Sequence, residues 1–125
     1  MKRTLLSAAL IAAAFGGSAQ AQALVAVPTD LGQVLAAANS GMTLYTFSQD
    51  ARNRSNCYDS CAAAWPPFLA EAAAEPQGGL GIIERNDGTR QWALNGQPLY
   101  FWQGDARQGD TTGHGVGGVW FAAIY

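Results

Sequence analysis

Positive charge is scarce in this chain. Its one lysine is Lys2, and beyond Arg3 the cations are five scattered arginines, Arg52, Arg54, Arg85, Arg90 and Arg107, set against nine acids. With a 21-residue leader set aside, the rest carries a net charge of −4. Neutralising a phosphate backbone needs clustered cations, so nucleic acid is excluded as a partner, and an anionic membrane surface with it. Imidazole and thiol are just as sparse, with one histidine, His114, and two cysteines, Cys57 and Cys61. A zinc centre needs about four such ligands, so no metal residue is assigned. The C-x3-C spacing with no following His excludes a thioredoxin-like C-x-x-C and a c-type haem site. There is no H-E-x-x-H and no Ser/His/Asp or Cys/His order. Gly115-Val116-Gly117-Gly118 precedes a strand-like segment rather than a helix, so it is no phosphate loop. Paired carboxylates exist, but a hydrolase cannot be argued without their separation. The reading leans away from an enzyme, with no catalytic residue and no cofactor.

A long hydrophobic run is missing too. The apolar stretch Leu5 to Phe15 is too short for about 30 Å of hydrocarbon, which takes roughly 20 residues. It follows the basic start Met1-Lys2-Arg3 and precedes Ser18-Ala19-Gln20-Ala21, the three-part pattern of a secretory signal peptide over residues 1–21, with cleavage after Ala23 as the alternative. No cysteine stands near that point to carry a lipid, so no membrane anchor is expected. The sequence thus predicts a periplasmic or secreted protein of residues 22–125, one domain by size. In an oxidising compartment Cys57 and Cys61 read as a structural disulfide, with a redox-active pair as the alternative.

What the chain does have is a repeat. LYTFSQDAR (Leu44 to Arg52) returns as LYFWQGDAR (Leu99 to Arg107). Tyr45 and Tyr100 stand 55 positions apart, as do Asp50 and Asp105, Arg52 and Arg107, Gly41 and Gly96, and Trp65 and Trp120. A fixed offset of this kind marks a duplicated unit, with repeat 1 over about 24–76, repeat 2 over about 80–125, and a seam at Gln77 to Gly81.

The expected fold is mainly β, a small antiparallel domain of two repeats related by a pseudo-two-fold, with one or two short helices. Thr43 to Phe47 and Pro98 to Trp102 alternate in strand period with aromatic and β-branched residues. Tyr45 and Phe47 share one face of such a strand and Leu44 and Thr46 the other. Asn86-Asp87-Gly88 and Asn95-Gly96 are turn signals bracketing a strand from Arg90 to Leu94, a hairpin meander into the second motif. Val119 to Ile124 reads as a terminal strand. Its equivalent, Ala64 to Leu69, is limited by Pro66-Pro67 to an edge or an extended path. Leu69 to Ala74 and Asp30 to Ala38 are expected to be short helices, the latter capped by its aspartate.

Tyr45-x-Phe47-x-x-Asp50 and Tyr100-x-Trp102-x-x-Asp105 both fit Y-x-[FWY]-x-x-D. On these residues, and on Ser55 to Pro67, Asp87 to Tyr100 and Gly109 to Trp120 in the same order, the chain resembles the bacterial secreted-repeat family of predicted lipoproteins with that motif. The chain differs in lacking the lipidation cysteine that many members carry, and His114 and Phe121 inherit no family role. The resemblance implies little about activity.

Two readings of the motif remain open. In one it is a structural corner: Tyr45 with Phe47 and Tyr100 with Trp102 in the core, Asp50 and Asp105 accepting from turn amides, and Arg52 and Arg107 on the rim, with an Asp–Arg pair conceivable. In the other, two pseudo-symmetric Tyr/Asp sites bind a ligand. Trp65, Trp92, Trp102 and Trp120 with Phe68, Phe101 and Phe121 form either the core or a stacking platform. His114 is either solvated or a ligand or base. The favoured function is a non-catalytic binding or scaffold module of the cell envelope with an unknown envelope ligand or protein as partner. The alternative is a metal- or redox-linked periplasmic protein using Asp, Tyr and His or the cysteine pair.

Overall fold

The computed structural model describes residues 22–125; the expected leader lies outside them. Seven strands form small antiparallel sheets: β1 (Leu24–Thr29), β2 (Gly32–Ala37), β3 (Tyr45–Phe47), β4 (Leu80–Glu84), β5 (Arg90–Leu94), β6 (Gln97–Pro98) and β7 (Trp120–Ala122). One short helix, α1 (Ser60–Ala64), and a 3-10 turn (Val116–Gly118) complete the described residues. The fold is mainly β, as expected, but the two motif segments differ: Tyr45–Phe47 is a strand, whereas the strand expected from Pro98 to Trp102 ends at Pro98 and continues only as a bridge at Tyr100.

β1 and β2 form a hairpin with Val27 opposite Val34, and β4, β5 and β6 form the meander read from the turn residues. Asn95 and Gly96 both adopt positive φ, 51° and 88°, the backbone of the tight hairpin turn their sequence favours.

Two helix expectations are corrected. Asp30 is not a helix cap, and the segment after it is β2. The Thr29 hydroxyl accepts from Leu31 N (3.0 Å) and donates to Gly32 O (2.7 Å), closing a turn that Gly32 completes at φ 92°. Pairing with β1 and burial of Val34 to Ala37 then override the helix propensity of leucine and alanine. Leu69 to Ala74 is not helical either. Leu69 pairs with Gln91, and Ala70 N donates to Arg90 O. The Arg90 guanidinium then donates to the carbonyls of Glu71, Ala72 and Ala74. Pairing of Leu69 and Ala70 with β5 holds the start of the segment extended, and Arg90 fixes the turn that follows. The helix that does form, α1, begins within the disulfide loop and carries Cys61.

The repeats interlock. β3, from the first, pairs with β7, from the second. Leu35 N donates to Ala123 O (2.7 Å) as Trp92 N donates to Phe68 O (2.9 Å), and Ala123 N donates to Leu44 O as Phe68 N donates to Leu99 O, both at 2.9 Å. Each repeat therefore inserts its last segment into the other. On the pseudo-axis itself, Tyr45 and Tyr100 exchange backbone bonds, Tyr45 N to Tyr100 O at 2.8 Å and Tyr100 N to Tyr45 O at 2.9 Å.

The strand period sorts the buried residues into two cores. Leu44 and Leu99 pack with Leu35, Phe68, Leu80 and Trp92. Tyr45 and Tyr100, one residue on and facing the other way, pack with Val34, Cys57, Trp65 and Trp120.

Candidate functional site

The second core gathers both motifs. Trp65 and Trp120 lie at equivalent places in the repeats and stack face to face, centroids 3.9 Å apart and planes within 1°. Phe47 stacks outside Trp120 at 4.1 Å, and Trp102 lies outside Trp65 at 4.1 Å with its plane tilted by 32°. The order Trp102, Trp65, Trp120, Phe47 is thus a four-ring column with the pseudo-axis through its middle. Tyr45 meets Trp65 edge-on at 5.3 Å and Tyr100 meets Trp120 edge-on at 5.1 Å, the perpendicular arrangement that ring quadrupoles favour. Gly113 lies against this column: a Cβ there would come within 2.8 Å of Trp65 and 2.9 Å of Trp102.

The polar half of the motif is crossed between repeats. Tyr45 OH donates to Asp105 Oδ2 and Tyr100 OH to Asp50 Oδ2, both at 2.7 Å. The second oxygens are used as well. Asp50 Oδ1 accepts from Asn56 N at 2.7 Å, and Asp105 Oδ1 accepts from Thr112 N at 3.0 Å and from its hydroxyl at 2.7 Å. Burial pushes both phenols well above their ordinary range, and each is held up further by the carboxylate it donates to. Asp50 is also raised by burial, against the downward pull of Asn56 N, Tyr100 OH and the Arg85 charge.

The Asp–Arg pair does not form. Arg52 donates to Asn95 O at 3.3 Å, and Arg107 meets Asp110 through its backbone, its N–H donating to Oδ2 and its carbonyl accepting from Asp110 N, both at 3.1 Å; both arginines are exposed. The cation near the motif is Arg85, which the sequence reading did not single out. It is 4% exposed. Its Nη1 donates to Ser55 Oγ (3.0 Å) and Gln91 Oε1 (2.9 Å), its Nη2 donates to Cys57 O (2.8 Å), and its guanidinium lies 4.3 Å from the Tyr58 ring centre. Ser55 Oγ lies 2.6 Å from Tyr100 OH. Since Ser55 accepts from Arg85 and from Cys57 N, its own proton goes to Tyr100, which donates to Asp50. A hydroxyl chain thus links Arg85 to Asp50. At the other pair Gly113 N donates to Tyr45 OH at 3.2 Å and no arginine joins. No signal short of the fold marks Arg85, because its partners lie 6 to 30 residues away.

Cys57 and Cys61 form a disulfide, with Cα atoms 5.2 Å apart, and hold the loop whose carbonyl receives Arg85. His114 Nδ1 accepts from Ala122 N at 3.0 Å, and its ring meets Phe121 edge-on at 5.8 Å, so it ties the 3-10 turn to β7. Among the described residues no three His, Cys, Asp or Glu side chains gather in a way that could hold a metal.

A family model that matches both repeats decides the family. The chain belongs to the secreted repeats of unknown function, whose family model matches residues 25–68 and 81–124. No curated protein and no solved structure matches the chain. Among the described residues of this secreted-repeat protein, no helix is long and apolar enough to cross a membrane.

Open space lies mostly on the other core. A cleft of about 310 Å³ is lined by Ala38, Asn39, Phe68, Leu69, Ala74, Gln77 and Trp92 among others. A hollow of about 380 Å³, lined by Asn39, Ser40, Met42, Phe68, Leu69 and Phe101, shares Asn39, Phe68 and Leu69 with it. Beside the first motif a smaller hollow of about 230 Å³ is rimmed by Phe47, Asp50, Arg52 and the Asn95-Gly96 turn. At the second motif, the Gln108 side chain lies over Gly41 and donates to Ser40 O at 3.0 Å.

Proposed function

We propose that this protein is a non-catalytic binding module of the cell envelope, periplasmic or secreted, whose ligand is an extended apolar segment of an envelope partner. The observation that carries this reading is the pair of adjoining hollows around Phe68 and Leu69, with Leu69 47% exposed between them. Exposed apolar side chains along a groove mark interaction sites. The groove walls are alanine, leucine, methionine and aromatic rings, and its polar groups are neutral apart from Glu71, which suits an apolar chain without acidic residues. The motif supports the same assignment from the other side. Asp50 and Asp105 have both oxygens engaged by internal donors, so neither is left free to hold a ligand. Tyr45, Phe47, Tyr100, Trp102 and the two aspartates are then the frame, and Arg52 and Arg107 its rim.

Selection from a library of unstructured peptides tests the reading. Enriched sequences should carry apolar residues at alternate positions, and Leu69→Glu should lose them while melting like the parent. A selection without apolar enrichment, or one unchanged by Leu69→Glu, would refute it.

A further inference from the structure

The column of rings and its two Tyr–Asp pairs remain unused by the binding reading. A core is filled equally well by leucine or phenylalanine. Here three of the four column rings are indoles, flanked by two phenols, the ring side chains that give up one electron most readily, and each buried phenol faces a carboxylate at 2.7 Å. Every ring from Trp102 to Tyr45 is within contact of the next, Trp102 to Trp65 at 4.1 Å and Trp65 to Tyr45 at 5.3 Å. Trp102 is half-buried and so reachable from outside, whereas Tyr45 is fully buried.

We propose that the column is a relay for oxidising equivalents: a high-valent metal centre, acting as a one-electron oxidant at the surface, takes an electron from Trp102, and the vacancy passes through Trp65 to Tyr45 as its proton moves to Asp105. The oxidant gains one electron and Trp102 becomes an indole radical cation. Trp65 refills Trp102, and Tyr45 refills Trp65. As Tyr45 loses its electron, its phenolic proton crosses to Asp105 Oδ2. The products are the reduced oxidant, a neutral tyrosyl radical and a protonated Asp105. A one-electron reductant reverses the sequence, and the proton returns to Tyr45.

The two ends are not equivalent. Tyr100 lies one ring further, beyond Trp120, and its acceptor Asp50 is joined to the Arg85 cation through Ser55. Tyr45 is reached from Trp65 directly, one transfer earlier than Tyr100, and its acceptor Asp105 accepts only from Tyr45 and Thr112, so the radical settles on Tyr45.

The experiment uses the Tyr58→Phe/Tyr125→Phe background, which leaves Tyr45 and Tyr100 as the only tyrosines of four, and photogenerated tris(bipyridyl)ruthenium(III) as the oxidant. Transient absorption and electron paramagnetic resonance distinguish tyrosyl from tryptophanyl radicals. The background protein should form a tyrosyl radical, more slowly in deuterium oxide because a proton moves. Trp102→Phe should lower its yield at least tenfold. Phenylalanine already occupies the matching position 47 at the column's other end, so that variant keeps the stack. Tyr45→Phe should replace the tyrosyl signal by a tryptophanyl one. Tyrosyl yield unchanged by Trp102→Phe, a rate blind to deuterium oxide, or no tyrosyl radical in the background would each overturn the relay and leave the column as packing alone.

Discussion

Tyr45 and Tyr100 each donate to the aspartate of the opposite motif, which explains why the motif joins a tyrosine to a carboxylate and occurs twice. Asparagine cannot take the place of either aspartate. Its amide nitrogen would face Asn56 N or Tyr100 OH at position 50, and the Thr112 donors or Tyr45 OH at position 105. A buried donor left without an acceptor costs about 1–3 kcal/mol, so Asp50→Asn and Asp105→Asn should each lower unfolding stability by about that much in urea titrations. A gain in melting temperature from either would mean that the carboxylates are strained for a ligand and not satisfied within the fold. The phenols give a second test. Burial and the facing carboxylates hold both above the ordinary phenol value of about 10. A group raised in the folded state keeps its full stabilising contribution below the unfolded value and loses it as pH climbs toward the folded one. Tyr45 and Tyr100 should therefore stay protonated in the native protein past pH of about 10, and stability should fall steadily above that point. Spectroscopic titration should show the last two phenolates appearing together with unfolding. Smooth ionisation of all four tyrosines in a still-folded protein would contradict the buried pairs.

At the scale of elements, the sequence was legible where pattern and turn chemistry agreed. Asn95-Gly96 and Asn86-Asp87-Gly88 delimit β5, and the alternation of the motif strands separates Leu44 from Tyr45 into different cores. It was misleading where alanine suggested helix. Gly32 to Ala37 follows a turn closed by the Thr29 hydroxyl, and the carbonyls of Glu71, Ala72 and Ala74 are taken by Arg90. Both effects depend on a specific partner, and Arg90 stands 16 to 19 residues from its acceptors, beyond any local window. The crossing of Tyr and Asp between repeats was unreadable for the same reason, because an offset shows that two units are alike but not how they face. The disulfide was legible from compartment and count. Its loop is short, so in the chain-entropy account the bond contributes roughly 2 kcal/mol or less. Cys57→Ala/Cys61→Ala should lower the unfolding midpoint accordingly, and thiol titration of the unfolded parent should find no free cysteine. Rapid reduction of the native protein at the potential of a catalytic dithiol would instead favour a redox-active pair.

The whole molecule is two like units joined as an isologous pair in one chain. In such a pair every contact made by the first unit is returned by the second, as the reciprocal bonds of Tyr45 and Tyr100 show. Each unit has a sheet of its own, but its free edge is covered by a segment of the other. The Leu35–Leu44 region needs Ala123 from the second repeat, and the Trp92–Leu99 region needs Phe68 from the first. Trp65 and Trp120 each cover the other's ring across the axis, so Trp120→Ala opens the centre of the column and should cost roughly 3–5 kcal/mol. The same exchange predicts how the chain behaves when cut at the seam near Gly78, an exposed turn position. A fragment of residues 22–78 keeps Tyr45 but loses Asp105, Ala123 and the stacking partner of Trp65, and should be unfolded or aggregated on its own. A fragment of residues 79–125 loses Phe68, Asp50 and Trp65 and should behave alike. Mixed in equal amounts, the two should recover the near-ultraviolet circular dichroism of the intact chain, because each supplies the strand and the carboxylate that the other is missing. A sharp thermal transition in either fragment alone would show two self-sufficient domains and contradict the exchange. Failure of the mixture to recover while the intact chain refolds under the same conditions would mean that the covalent seam, and not the reciprocal pairing, holds the repeats together.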